Sequence, residues 1–233
     1  MAHAHVQSRG SRAEGAATTI ALAFVSNVAA GNLIRIGVGW EGTTKTCTVA
    51  DSLGNTYTSI LKTSDTTDDQ SSQIFYAKNI AGGACTVTAT FSVSAAFRRL
   101  VMHESSGADT AAPLDGSNGQ WEVTPGTGTD GCNSLAITPT ANNALIWGFG
   151  QDTGGADPLV AGTGYTLRVG AGSGGFAIGE DRVQATAASI EATFTAGANN
   201  DVVSQVAAFK EAGVAAQPYI EILGERERPL YQY

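Results

Sequence analysis

The alternation at residues 85–94 limits what this chain can fold into more than any other stretch. Cys85, Val87, Ala89, Phe91 and Val93 alternate with Thr86, Thr88, Thr90, Ser92 and Ser94. A period of two gives an extended strand one apolar face and one hydroxyl face; a helix would scatter the same residues around its surface. Upstream, 74–80 is rich in aromatic and β-branched residues. Ala81-Gly82-Gly83-Ala84 joins the two runs with glycines that admit the positive φ of a short hairpin. A third run, 97–103, stops at Ser105-Ser106-Gly107, so 73–107 reads as an antiparallel meander with one wet face.

Other short apolar runs follow the same rule. Residues 18–25 read as a strand with Ile20, Leu22 and Phe24 on one side, 33–40 as a central strand whose glycines mark close packing or a bulge. A possible first strand lies at 3–7, a turn of Asx and Gly residues at 51–57, and an acidic polar loop at 65–72. Long helical periodicity is missing, and 29 glycines punctuate the runs. The class is therefore all-β.

After a Gly-, Pro-, Asp- and Thr-rich region at 108–131, the chain starts again. The run 142–150 echoes 31–39, Gly164-Tyr165-Thr166 echoes Asn55-Thr56-Tyr57-Thr58, 176–183 stands where 74–80 stood, 189–195 echoes 86–92, and 202–213 echoes 100–107. Two similar four-strand halves could form two stacked domains or one sandwich. The expectation is a single antiparallel β-sandwich, jelly-roll-like, because a four-strand half leaves an apolar face that its twin can cover. On this reading 1–17 is an N-terminal arm or first strand, 18–213 is the sandwich (halves 18–107 and 132–213, long loop 108–131), and 214–233 is a C-terminal arm. Tyr219, Ile220, Leu223, Leu230, Tyr231 and Tyr233 make that arm aromatic and apolar without a core of its own, so a neighbouring subunit is expected to hold it.

Charge and composition exclude several functions. With 13 Lys plus Arg against 21 Asp plus Glu, and Arg98-Arg99 the one basic cluster worth naming, nucleic acid is not an expected partner. No apolar stretch approaches the length of a membrane span, so no membrane partner is expected. The first ten residues lack an apolar signal-peptide core, so the chain is expected to stay inside or to leave by assembly or a non-standard route. Three cysteines have neither zinc nor thioredoxin-like spacing and read as buried thiols. If a disulfide forms, Cys47 with Cys85 is the pair to test, since both sit at strand starts.

Candidates for chemistry are few. His3, His5 and His103 read as polar or structural, with no nucleophile marked for a triad. Asp65, Asp68 and Asp69 could offer oxygens to calcium but miss the Ca²⁺-loop spacing. Glu41, Glu104 and Glu122 could be proposed as a glycosidase pair only with a separation that sequence does not give. Trp40 and Trp147 read as core, whereas Trp121, isolated in the long loop, could stack on a glycan. The glycines at 170–175 lack the Lys-Ser/Thr of a phosphate loop. No catalytic residue, cofactor or metal is expected.

The segments Val49-Ala-Asp-Ser-Leu-Gly-Asn-Thr-Tyr-Thr58, Ile74-Phe-Tyr-Ala-Lys-Asn-Ile-Ala-Gly-Gly-Ala84 with Thr86-Val-Thr-Ala-Thr-Phe91, and His103-Glu-Ser-Ser-Gly107 through Pro113-Leu-Asp-Gly116 resemble a recurring β-sandwich module of tailed-phage virion proteins and bacterial surface proteins. The resemblance covers most of 18–213 and implies a structural or adhesive role without a catalytic centre. The expected function is a non-enzymatic virion structural protein, a decoration or accessory protein on a phage capsid or tail shell, partnered by copies of itself and by other virion proteins. A carbohydrate-binding or adhesive surface module, or an extracellular filament subunit, is the alternative.

Overall fold

The computed structural model describes residues 1–123, 130–154, 158–170, 176–196 and 201–213. Every regular element in it is a strand, and the sheets are antiparallel and open. The first eight strands are β1 (Ala4–Ala13), β2 (Ala17–Ala23), β3 (Leu33–Glu41), β4 (Cys47–Asp51), β5 (Thr58–Asp65), β6 (Gln70–Ala77), β7 (Thr86–Ala95) and β8 (Arg98–Ser106). β1 pairs with β8, β2 with β7 and β3 with β6. Such nested pairing wraps the chain as a jelly roll, and it leaves a five-stranded sheet, β1-β8-β3-β6-β5, facing a three-stranded one, β2-β7-β4.

The next eight strands are β9 (Leu114–Val123), β10 (Asp130–Asn133), β11 (Ala144–Asp152), β12 (Val160–Ala161), β13 (Thr166–Gly170), β14 (Ala177–Gln184), β15 (Thr193–Ala196) and β16 (Asp201–Phe209). They repeat the first eight strand for strand: β9 with β16, β10 with β15, β11 with β14, giving sheets β9-β16-β11-β14-β13 and β10-β15-β12. The all-β antiparallel sandwich and its jelly-roll wrapping are thus present as expected, but there are two sandwiches where one was expected, because each half contains a whole one. Each half holds eight strands rather than four, and among the described residues no sheet mixes strands of the two halves. β1 extends the possible first strand at 3–7 as far as Ala13, and the unforeseen β9 lies inside the expected long loop. Both are edge strands (AHVQSRGSRA and LDGSNGQWEV) whose polar, Gly-containing sequences carry little apolar signal.

Three cores follow from this layering. Ile34, Ile36, Val38 and Trp40 on β3 meet Val87, Ala89 and Phe91 on β7 inside the first sandwich. Ile146 on β11, Phe194 on β15 and Val206 on β16 fill the second. The third core lies between the sandwiches, where the two five-stranded sheets stack through Leu33, Ile74, Tyr76, Val101, Trp147, Phe149 and Phe209. Central strands therefore bury both faces, which is why 33–40 and 144–150 read as near-continuous apolar runs. Glycines let the sheets approach: a Cβ at Gly37 would overlap the Phe149 ring, and one at Gly39 the Gln151 amide.

Polar groups lock the same interface. Arg35, fully buried, donates from Nη2 to Ser105 Oγ at 2.7 Å and to Asp181 Oδ2 of the other half at 3.1 Å. Gln70 Nε2 donates to the Thr153 carbonyl at 2.7 Å, and Gln151 Nε2 to Gln70 Oε1 at 3.0 Å. Among the described residues no helix is long and apolar enough to cross a membrane.

Candidate functional site at the junction of the two sandwiches

At one end of the stack the sheets splay into a cleft of about 370 Å³ built from both halves. The first half supplies Arg12 and Glu14 from the end of β1, Phe97 and Arg99 from the start of β8, and Asp68 and Gln70 from the β5–β6 turn. The second half supplies Thr153 and Gly154 after β11 and Phe176 before β14. Pairing of β1 with β8 sets Arg12 opposite Arg99, and both guanidinium groups lie over the Phe176 ring, at 4.7 and 5.9 Å from its centre.

Arg99 is 4% exposed, and its Nε and Nη1 have no hydrogen-bond partner among the described residues. Glu14 Oε1 stands 3.7 Å from Nη1, an ion-pair distance too long for a hydrogen bond. Burial pulls the Arg99 pKa down and the Glu14 carboxylate opposes it. Phe97, 41% exposed, holds φ at +47° in the tight β7–β8 connection. Among the described residues the other non-glycine positions with positive φ are Asp69, Asn79 and Asn143, types that tolerate it; a bulky phenylalanine there is strained.

Behind the cleft the carboxylates of Asp65, Asp68 and Asp201 offer one oxygen each within 4.8 Å of one another. Asp65 is buried, and its Oδ1 accepts the Thr67 and Asp68 amides at 2.7 and 3.1 Å while Oδ2 accepts Thr153 Oγ1 at 2.6 Å. Burial first, then the neighbouring carboxylates, raises the pKa of Asp68 and Asp201. Carboxylate oxygens are the donor type of a hard divalent cation, but three are about half of the set it needs, and Asp65 is already satisfied by hydrogen bonds. The third residue of the sequence-level trio, Asp69, turns away and accepts Thr43 N at 2.8 Å and Thr43 Oγ1 at 2.9 Å. Asp201 was not foreseen, because only the fold brings β16 beside the β5–β6 turn.

The remaining sequence candidates separate. Trp121 lies on β9, not in a loop. Register places it opposite Val203, on the same face as Gly119, where a Cβ would come within 2.9 Å of Leu61 on β5. It is half-buried, with its indole N–H buried and unpartnered among the described residues. Trp40 and Trp147 are fully buried, as expected. Glu104 is buried and accepts from Gln7, Ala29 and Asn32. It sits opposite Ile34, seven residues along β3 from Glu41, or about 23 Å; Glu122 is on the other sandwich.

All three cysteines are buried, and Cys47 and Cys85 are not joined in a disulfide. Cys47 pairs with Phe91, six residues from Cys85, which places the two sulfurs' backbones about 20 Å apart along β7. A disulfide needs Cα atoms within about 7 Å. Two strand starts in an antiparallel pair lie at opposite ends of the ladder, and this overturns the Cys47–Cys85 bridge.

The three histidines gather toward the opposite end. His3 Nε2 lies 3.1 Å from the Phe209 carbonyl, and the His5 and His103 rings are 6.3 Å apart. A second hollow of about 310 Å³ there includes Arg168 and Asp181, but Asp181 is engaged by Arg35 at 3.1 Å and Arg168 at 2.7 Å. Glu180, buried in the second sandwich and bonded by the Gly162 and Thr193 amides, is pushed up to about 8 by burial. The assembly-arm residues Tyr219, Ile220, Leu223, Leu230, Tyr231 and Tyr233 lie outside the described residues.

Comparison with protein-family models, curated proteins and solved structures returns no match for this chain.

Proposed function

We propose that this protein is a non-enzymatic structural component of a virion, a decoration or accessory protein of a phage capsid or tail that assembles with copies of itself and with the shell it decorates. The observation that carries the reading is the nested pairing repeated in both halves, two jelly rolls locked back to back through a buried interface. Jelly rolls recur in viral capsids and in lectin domains. That is an analogy of fold, and fold alone hosts many functions. In this reading the double sandwich is a rigid brick and 214–233 is the arm that a neighbour holds. Ordering such an arm costs about 1–2 kcal/mol per residue in backbone entropy, so the neighbour's contacts must exceed that. Deleting 214–233 is expected to abolish sedimentable assembly while the truncated chain melts as the whole one does. Unchanged assembly after truncation refutes the reading. A second reading, a carbohydrate-binding surface module, is favoured by the junction cleft with its strained aromatic rim.

A further inference from the structure

The geometry points to the junction cleft as a binding site for a neutral glycan, an inference that rests on the carbohydrate-binding reading and is independent of how the arm assembles. Three observations converge on it. First, Phe97 is held in a left-handed conformation at φ +47° and is 41% exposed at the rim. A glycine or asparagine would fill that turn without strain, so the phenyl face is maintained against a local cost. Second, Arg99 is 4% exposed and keeps two guanidinium nitrogens without hydrogen-bond partners among the described residues, within a cleft large enough for a ligand. A buried unpaired donor is costly unless something accepts from it. Third, Arg12 and Arg99 both lie over the Phe176 ring, at 4.7 and 5.9 Å from its centre, a cation–π contact that holds both guanidinium groups at the cleft wall.

Charge selects the ligand class. Arg12 and Arg99 are offset within the lining by Glu14 and Asp68, and the carboxylates of Asp65 and Asp201 crowd Asp68 from behind. An anion brought to Arg99 would meet that acidic wall; a cation brought to Asp68 would meet two guanidinium groups. A sugar ring suits both sides. Its hydroxyls donate to carboxylates and accept from guanidinium N–H groups, and its C–H face packs on an aromatic ring. A volume of about 370 Å³ accommodates one or two such rings.

The test uses the full chain on a printed array of neutral oligosaccharides of glucose, galactose and N-acetylglucosamine, with sialylated and sulfated glycans beside them. The best neutral binder is then titrated calorimetrically into the wild type, Phe97→Gly and Asp68→Asn. Neutral glycans are expected to bind and acidic ones not. Phe97→Gly should weaken binding about tenfold or more while melting no lower than the wild type, because glycine accepts the positive φ. Asp68→Asn, at an exposed site, should weaken binding with no loss of fold. A blank array, a preference for acidic glycans, or wild-type affinity in both variants overturns the assignment. The assembly assay on the 214–233 deletion reports separately on the virion reading.

Discussion

His103 should make this protein acid-sensitive, and the effect can be isolated. The ring is fully buried on β8, edge-on to Trp147 at 5.8 Å, and a Cβ at Gly179 would overlap it. Neither ring nitrogen has a hydrogen-bond partner among the described residues. Burial pulls its pKa well below 6.5, and the cations Arg35 and Arg168 and the neighbouring His5 act in the same direction. A lowered folded-state pKa means that the unfolded chain binds more protons below about pH 6.5. Stability is then fully present above that pH and falls as pH drops beneath it. For a ring that stays neutral in the fold, the loss by pH 5.0 is about 2 kcal/mol. His3 and His5, also lowered chiefly by burial, add to it, whereas Glu180 works in the opposite sense, its protonated form being favoured in the fold. The difference between wild type and His103→Leu removes these common contributions. Urea titrations at pH 7.5 and 5.0 should show the variant more stable at pH 7.5 by roughly 1–3 kcal/mol, since two buried unpaired nitrogens are gone, and its advantage should grow by about 2 kcal/mol at pH 5.0. An advantage that stays constant with pH refutes the assignment.

Two further outcomes follow from the packing. Gly37→Ala should cost about 1–3 kcal/mol in chemical denaturation, because its Cβ runs into the buried Phe149 ring, while Gly15→Ala, with open space around it, should be neutral or slightly stabilising. Equal effects at the two sites would remove the close-approach account of the interface. The thiols of Cys47 and Cys85, both pushed up to about 12 by burial, should resist a thiol reagent at pH 8 until the chain unfolds, when all three cysteines react. Intact mass should not rise on reduction.

The repeat was legible in the sequence because the apolar signal survives in the central strands. The runs 33–39 and 142–150 are β3 and β11, and the segments 86–92 and 189–195 lead into or form β7 and β15. What escaped was phase. Setting Gly37 and Gly39 beside Gly148 and Gly150 is one residue out, and in a strand one residue exchanges the faces. Gly37 and Gly39 face the other sandwich, against Phe149 and Gln151; Gly148 and Gly150 face their own core, against Ala192 and Phe194. A strand buried on both sides has no polar face to reveal that slip. The edge strand β9 escaped, and β1 was legible only over its first residues, for the opposite reason: both are polar and Gly-containing. The cleft was illegible as a unit: Arg12, Asp68, Phe97 and Phe176 share no motif, and only the stacking brings them together. Arg99 was noted as part of a small basic cluster, with nothing in sequence to mark its burial.

That difference in phase bears on how function divides between the halves. If both copies presented the same face at the interface, each sandwich could pair with a second copy of itself. Here one side presents Gly37 and Gly39 and the other fills those hollows with Phe149 and Gln151, while on the neighbouring strands Gly179 receives His103. Small meets large in both directions, so the faces are complementary to each other rather than to themselves. Arg35 of the first half and Asp181 of the second enforce the same choice, since either pairing of like halves would bury like charges. The stack therefore fixes one relative placement of the two jelly rolls. The cleft depends on that placement, with Phe97 and Arg99 from one sandwich and Phe176 from the other. A single jelly roll supplies part of its lining; the asymmetric pair supplies the whole.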